Sequence, residues 1–89
     1  MISYDRCLEL YSTVIDSLDG LIDDKLSEAE VEELQNGIAD LGKKAKLNTT
    51  EIQMLKMCLI AVSYYRKLSD MQEYFVPGEA ATIYYSLLC

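Results

Sequence analysis

The chain of 89 residues contains no histidine and no tryptophan. Histidine is the most common general base, and its absence excludes every Ser-His and Cys-His nucleophile pair. The sequence also lacks a glycine-rich phosphate loop and a Walker lysine, which are the usual signs of a nucleotide site. We therefore expect a protein that is not an enzyme and that uses no cofactor.

Residues that break helices are also few, with one proline and four glycines. Pro77-Gly78 is the only strong breaker pair, and no stretch alternates apolar and polar residues as an exposed strand does. The sequence therefore predicts an all-α fold, a small bundle of three long helices and a short C-terminal helix in a single domain of residues 1–89. The predicted helices span about residues 3–24, 28–42, 49–68 and 78–88, and the pattern leaves residues 70–76 undecided.

Three cysteines, Cys7, Cys58 and Cys89, cannot all pair within one chain, and none belongs to a C-x-x-C motif. A reducing, intracellular environment fits this pattern best. The first residues lack a basic region followed by an apolar one, so we expect no signal peptide. The longest apolar run, residues 54–65, is interrupted by Lys56 and is too short to span a membrane. The sequence thus predicts a soluble, cytoplasmic protein without membrane contact.

The stretches KLSEAEVEEL (25–34) and KLNTTEIQML (46–55) resemble each other. Each contains a capping box, in which a polar cap and a glutamate three residues later bind each other's backbone amides, and a hydrophobic staple around it. The boxes are Ser27 with Glu30 and Asn48 with Glu51, and the staples are Leu26 with Val31 and Leu47 with Ile52. Because the similarity ends soon after the caps, we interpret the stretches as separate helix starts and not as a functional repeat.

The apolar pattern predicts a different role for each long helix. The first has one broad apolar face, with Gly20 on its polar side. The second has a narrow apolar seam, and Gly42 is expected at the C′ position just beyond its end. The seam consists of Val31, Leu34, Ile38 and Leu41. The third helix is apolar on nearly every side and should be the central helix of the bundle.

A calcium loop at residues 19–30 fits the sequence poorly. Asp19, Asp23 and Glu30 take positions one, five and twelve of such a loop. However, Leu21 occupies position three, and Asp24 stands where the sharp turn needs glycine. We therefore expect no metal site, and a metal-dependent regulator is only a third alternative.

A helix-turn-helix at residues 28–68 is also disfavoured. Four lysines surround the junction of its two helices, namely Lys43, Lys44, Lys46 and Lys56. The recognition helix would have to present polar side chains to base edges, but the third helix presents methionine, leucine and tyrosine. The net charge of −7 would also repel phosphate, so we expect no direct contact with nucleic acid.

The strongest feature is the acidic segment, which we define as residues 16–40. It holds nine acidic residues against one basic residue, Lys25. By default such a run is a solvated surface that aids solubility. The sharper hypothesis is a docking surface for a basic partner protein, formed by Asp16, Asp19, Asp23, Asp24, Glu28, Glu32, Glu33 and Asp40. A small acidic inhibitor of the kind that viruses encode could in this way mimic phosphate spacing and block a nucleic-acid-handling protein.

A self-associating structural module is the alternative, and in it the acidic segment would have no specific role. The third helix has more apolar circumference than its neighbours can easily cover. Four tyrosines supply the amphipathic side chains that interfaces favour, and these are Tyr64, Tyr65, Tyr84 and Tyr85. This hypothesis predicts a homodimer through the third or the C-terminal helix.

Overall fold

The computed structural model describes residues 1–20 and 25–88, and this part of the chain is helical without β-strands. Its α-helices are α1 (Tyr4–Leu18), α2 (Glu28–Gly42), α3 (Thr49–Ser63) and α4 (Glu79–Leu88). A 3-10 helix, Leu68–Tyr74, lies between α3 and α4 and covers most of the stretch that the sequence left undecided. The predicted all-α fold is thus confirmed. None of these helices is both long and apolar enough to cross a membrane.

Both capping boxes are present at the predicted residues. Ser27 Oγ accepts from the Glu30 amide at 3.2 Å, and Glu30 Oε1 accepts from the Ser27 amide at 2.9 Å. Asn48 and Glu51 make the equivalent pair at 2.8 and 3.0 Å. These side chains satisfy amides that a helix start otherwise leaves without partners, which explains why α2 and α3 begin where they do.

Helices α2 and α3 are antiparallel neighbours. At one end, the Leu26 amide donates to the Tyr65 hydroxyl at 2.9 Å, so the start of α2 lies beside the end of α3. At the other end, Lys44 and Glu51 form an ion pair beside the short connection. Helix α1 packs mainly on α3, so α3 touches both of the other long helices and is central, as predicted.

The core forms around α3. Seven of its fifteen residues are buried, and the whole seam of α2 is buried as well. From α1 the buried residues are Cys7, Leu10 and Val14, and from α4 they are Ala80, Ala81 and Tyr84. Ile60 of α3 and Tyr64, the C-cap residue that follows α3, are large apolar side chains that remain exposed.

The first helix ends earlier than predicted. We expected α1 to reach about residue 24 with Gly20 on its polar side, but α1 stops at Leu18. Gly20 has a φ of 75°, a left-handed conformation that glycine adopts without steric cost. Its amide donates to the Ser17 carbonyl at 3.2 Å, as the residue at C′ does in a helix-ending motif. Gly20 is therefore a helix terminator.

The third helix also ends early, at Ser63 and not near residue 68. Lys67 is extended, with φ −80° and ψ 130°, and separates α3 from the 3-10 helix. The Leu68 carbonyl accepts from the Tyr84 hydroxyl at 2.7 Å. This contact with α4 satisfies a carbonyl of the segment that follows α3.

Gly42 is not the C′ residue that we expected, but the last residue of α2. A Cβ atom at this position would lie 2.7 Å from the Tyr74 carbonyl oxygen. The Val76 amide also donates to the Gly42 carbonyl at 3.3 Å. Glycine is required here because the chain crosses the end of α2 in close contact, and this crossing positions α4.

Tyr84 is not on the surface, and its predicted place among the self-association residues must be corrected. Its side chain is fully buried, and its ring stacks on Phe75 with centroids 4.1 Å apart. Its hydroxyl is satisfied by the Leu68 carbonyl. Burial raises the pKa of Tyr84 above its ordinary value. Tyr84 therefore stabilises the C-terminal part of the core.

Candidate partner-binding surface

Arg6 of α1 binds a group of glutamates, including one of the predicted docking residues. Its Nε and Nη2 atoms donate to the two carboxylate oxygens of Glu33 at 2.8 and 3.3 Å. Its Nη1 atom donates to Glu9 at 2.8 Å, and Glu30 lies 3.7 Å away. The hydrogen bond to Glu33 raises the pKa of Arg6 above its ordinary value. Glu33 is thus already paired with a cation of the same chain, in the contact between α1 and α2.

Arg66 forms an ion pair with Glu28, a second predicted docking residue. Its Nη2 atom donates to Glu28 Oε2 at 2.6 Å and links the chain after α3 to the start of α2. Glu28 remains largely exposed, so this pair is screened by solvent and contributes little to stability. The chain has two arginines, and both hold glutamates of the acidic segment.

Four other predicted docking residues form no ion pair with any residue that the structure describes. They are Asp16, Asp19, Glu32 and Asp40, and all except the half-buried Asp16 are exposed. Glu32 and Asp40 are eight residues apart on α2 and lie opposite its buried seam, about 12 Å from each other along the helix axis. We define these two residues as the acidic ridge. Asp23 and Asp24 lie outside the described residues.

The structure gives little support to the two alternatives in which the chain binds a metal ion or nucleic acid. In residues 1–20 and 25–88, no group of three or more Cys, Asp or Glu side chains lies where it could hold a metal ion. The calcium loop includes Asp23 and Asp24, which the structure does not describe. Lys44, one of the lysines near the helix-turn-helix junction, is paired with Glu51. The hydrogen bonds from Lys44 and from the Asn48 amide lower the pKa of Glu51.

A groove of about 520 Å³ lies between the start of α3 and α4. Its lining residues are Leu47, Asn48, Thr49, Ile52, Glu79, Thr82 and Ile83. Glu79 is the one ionisable side chain in this lining, and its Oε2 atom accepts from the Leu47 amide at 2.9 Å. The groove was missed by sequence reasoning because it depends on the path of residues 75–79 across the end of α2.

Large apolar side chains are exposed on both α1 and α3. Tyr4 and Leu8 of α1 are 39% and 43% exposed, and Ile60 of α3 and its C-cap residue Tyr64 are 40% and 45% exposed. On α1, Tyr4 and Leu8 lie on the flank of the buried stripe opposite Arg6, which contacts α2. They therefore face away from α2. We define these four residues as the apolar surface.

The other predicted self-association tyrosines are in different environments. Tyr65 is half-buried, and its hydroxyl accepts from the Leu26 amide. Tyr85 is exposed on α4 and makes an edge-to-face contact with Tyr84 at 5.1 Å. The four tyrosines are thus divided between the chain directly after α3, the core and the surface of α4.

Two cysteines meet in the core, although the sequence placed them in no motif. Cys7 Sγ and Cys58 Sγ are 3.4 Å apart, and both side chains are fully buried. The residues are 51 positions apart in the chain, so no local spacing could have predicted their contact.

Comparison of the chain with models of protein families, with curated proteins and with solved structures found no match. Its function must therefore be inferred from its own surface chemistry.

Proposed function

We propose that the protein acts by non-enzymatic contact with another protein, and that its acidic ridge docks on the basic surface of a nucleic-acid-handling protein. The observation that carries this proposal is the difference between the acids of α2. Glu28 and Glu33 are bound by arginines of the same chain, whereas Glu32 and Asp40 are exposed and without a cationic partner among the described residues. The second pair is free to meet cations of a partner.

The bundle presents these charges on a rigid support. The capping box fixes the start of α2, the arginines hold its first turns to α1 and to the end of α3, and its seam is buried in the core. Preorganised charges lose little entropy when they bind. The net charge of −7 would also attract a basic partner over a distance and speed the encounter. A protein that fills a phosphate-binding surface in this way inhibits nucleic-acid binding.

Charge reversal of the acidic ridge tests the proposal. The test variant is Glu32→Lys with Asp40→Lys, and the matched control is Asp70→Lys with Glu73→Lys. The control changes the net charge by the same amount at two exposed residues of the 3-10 helix. Each tagged protein is mixed with the heparin-retained proteins of a lysate from the source organism, at low and at high salt, and bound proteins are identified by mass spectrometry.

We expect a basic protein that is captured by the unmodified chain and by the control, but not by the ridge variant. Capture should fall as salt rises toward about 1 M, where the screening length is about 3 Å. Circular dichroism must give the same helicity for all three proteins. Equal capture by the folded ridge variant, or capture that salt does not weaken, would contradict the proposal.

Self-association is the second candidate, and the apolar surface favours it. Tyr4 and Leu8 lie on α1, Ile60 lies on α3 and Tyr64 caps its end. The two helices pack on each other, and a second copy could cover these residues. Sedimentation equilibrium should then detect a dimer at micromolar concentration, and Leu8→Glu with Ile60→Glu should restore the monomer. A monomer at high micromolar concentration in the unmodified protein would exclude this candidate.

A further inference from the structure

The contact between Cys7 and Cys58 lies in the main interface that holds α1 in the bundle. Cys7 belongs to α1 and Cys58 to α3, and α1 packs mainly on α3. Their sulfur atoms are 3.4 Å apart, in hydrogen-bond contact, and neither side chain is exposed. The fold thus holds two thiols together that are 51 residues apart in the chain.

We propose that Cys7 and Cys58 form a dithiol site that a small-molecule disulfide oxidises to an intramolecular disulfide, and that this bond locks α1 onto α3. The two sulfur atoms must approach by about 1.4 Å to reach the bond length of about 2.05 Å. Gly37 lies beside the site, because a Cβ at its position would lie 3.9 Å from Cys58 Sγ.

The reaction needs no oxidant other than the small disulfide. The Cys7 thiolate attacks one sulfur of that disulfide, a mixed disulfide forms, and one small thiolate leaves. Cys58 gives its proton to this first small thiolate and attacks the Cys7 sulfur. The second small thiolate then leaves and takes up from water the proton that Cys7 had released. Two protein thiols are oxidised, and one small disulfide is reduced to two thiols.

The pKa values of the two thiols bear on the order of attack. The hydrogen bond with Cys58 lowers the pKa of Cys7. The same hydrogen bond, together with burial, raises the pKa of Cys58 far above its ordinary value. The lowered pKa favours Cys7 as the first nucleophile. Either sulfur can donate the hydrogen bond between them, and the disulfide that forms is the same for either order.

Ile2 lies beside the site in the short segment before α1. Its Cγ2 atom and Cys58 Sγ both lie within 4 Å of the position that a Cβ of Gly37 would take, at 2.6 and 3.9 Å. Both thiols are buried, so a small disulfide can reach them only when neighbouring side chains such as Ile2 move aside. We therefore expect Ile2→Ala to speed the oxidation at least about threefold while the disulfide that forms is the same.

The test uses the full chain with Cys89→Ser, which removes the third thiol and leaves the core unchanged in sequence. The protein is equilibrated with mixtures of oxidised and reduced glutathione, in native buffer and in concentrated urea. After acid quenching, free thiols are blocked with N-ethylmaleimide, and the products are measured by intact mass and peptide mapping. Cys7→Ser with Cys89→Ser is the matched control that cannot form the pair.

We expect a product about 2 Da lighter that takes up no maleimide, and a peptide map that links Cys7 to Cys58. Because the fold brings the thiols together, the native chain should reach half-oxidation at a glutathione ratio at least about tenfold more reducing than the unfolded chain does. The oxidised protein should also melt on the order of 10 °C higher than the reduced one.

Three results would overturn the proposal. The first is half-oxidation at the same glutathione ratio in native buffer and in urea, because the fold would then not favour the bond. The second is a native chain that accumulates glutathione adducts without the 2 Da loss expected for a disulfide. The third is a melting temperature that falls on oxidation. All three are read from the Cys89→Ser chain, so none depends on a core variant that fails to fold.

Discussion

The starts of α2 and α3 are held by contacts within three residues, whereas the end of α3 is held by contacts from distant parts of the chain. Ser27 and Asn48 bind amides three residues ahead. At the end of α3, the Tyr65 hydroxyl binds the Leu26 amide, 39 residues away, and Leu68 binds Tyr84, 16 residues away. A local contact can form as soon as the helix forms, but a distant one requires the assembled bundle. The two kinds of helix boundary should therefore respond differently to substitution.

The largest effect should come from Gly42→Ala, which disturbs a distant contact. The new Cβ would lie 2.7 Å from the Tyr74 carbonyl oxygen, and a backbone atom cannot simply move aside. We expect a loss of about 1 to 3 kcal/mol in the free energy of unfolding, measured by urea titration. Hydrogen exchange should increase most in residues 68–78, and much less at the starts of α2 and α3.

Gly37→Ala is the control for this prediction. Its Cβ would lie 2.6 Å from Ile2 Cγ2, which is the end of a flexible side chain near the start of the chain. We therefore expect a smaller loss than at Gly42. Equal losses for the two variants would mean that the crossing of residues 74–76 over α2 is not the constraint that we describe.

Substitution of the two caps should have the next largest effect. Ser27→Ala and Asn48→Ala each remove the acceptor for an amide in the first turn, and each should cost about 0.5 to 2 kcal/mol in the free energy of unfolding. Because the lost contact is local, hydrogen exchange should increase only in the first turn of α2 or of α3. Ser27→Asp and Asn48→Asp, which keep a side-chain acceptor, should retain most of the stability. If both alanine variants unfold at the same urea concentration as the unmodified protein, the boundaries are not set by their caps.

These local contacts explain how much of the fold could be predicted from the sequence. The starts of α2 and α3 and the central place of α3 were predicted correctly, because a cap and an apolar face involve residues close together in the chain. The end of α1 was missed although its signal, Gly20, was local, because we placed that glycine on a polar face. The end of α3 was not predicted from neighbouring residues, because the chain after it is held by the distant residues Leu26 and Tyr84.

The candidate surface was predicted only in part, for the same reason. Exposure of Glu32 and Asp40 follows from their spacing against the seam of α2. In contrast, nothing in the sequence indicates that Arg6 would bind Glu33, 27 residues away, or that Cys7 would contact Cys58. Whether a charge or a thiol is free is decided by neighbours that only the folded chain brings together.

Tyr84→Phe should have a moderate effect at the end of α3. The substitution keeps the ring that stacks on Phe75 but removes the hydrogen bond to the Leu68 carbonyl. We expect a loss of about 1 kcal/mol in the free energy of unfolding, the usual net value for one hydrogen bond. The chain after Ser63 should exchange amide hydrogens faster, while the start of α3 should not. Faster exchange at Asn48 to Glu51 would contradict the separation between local and distant contacts.

The smallest effect should be the pH dependence of the start of α3. Hydrogen bonds from Lys44 and from the Asn48 amide lower the pKa of Glu51 in the folded protein. A carboxylate with a lowered pKa stabilises the fold fully above its unfolded pKa of about 4.3, and this contribution is lost as the pH falls through the lower folded value. Glu51→Gln carries no such charge, so its urea midpoint should fall less than that of the unmodified protein between neutral pH and about pH 3. Lys44→Met, which keeps the cap but removes the cation, should give an intermediate fall. If the urea midpoints of all three proteins fall by the same amount with pH, the charge of Glu51 does not stabilise the fold.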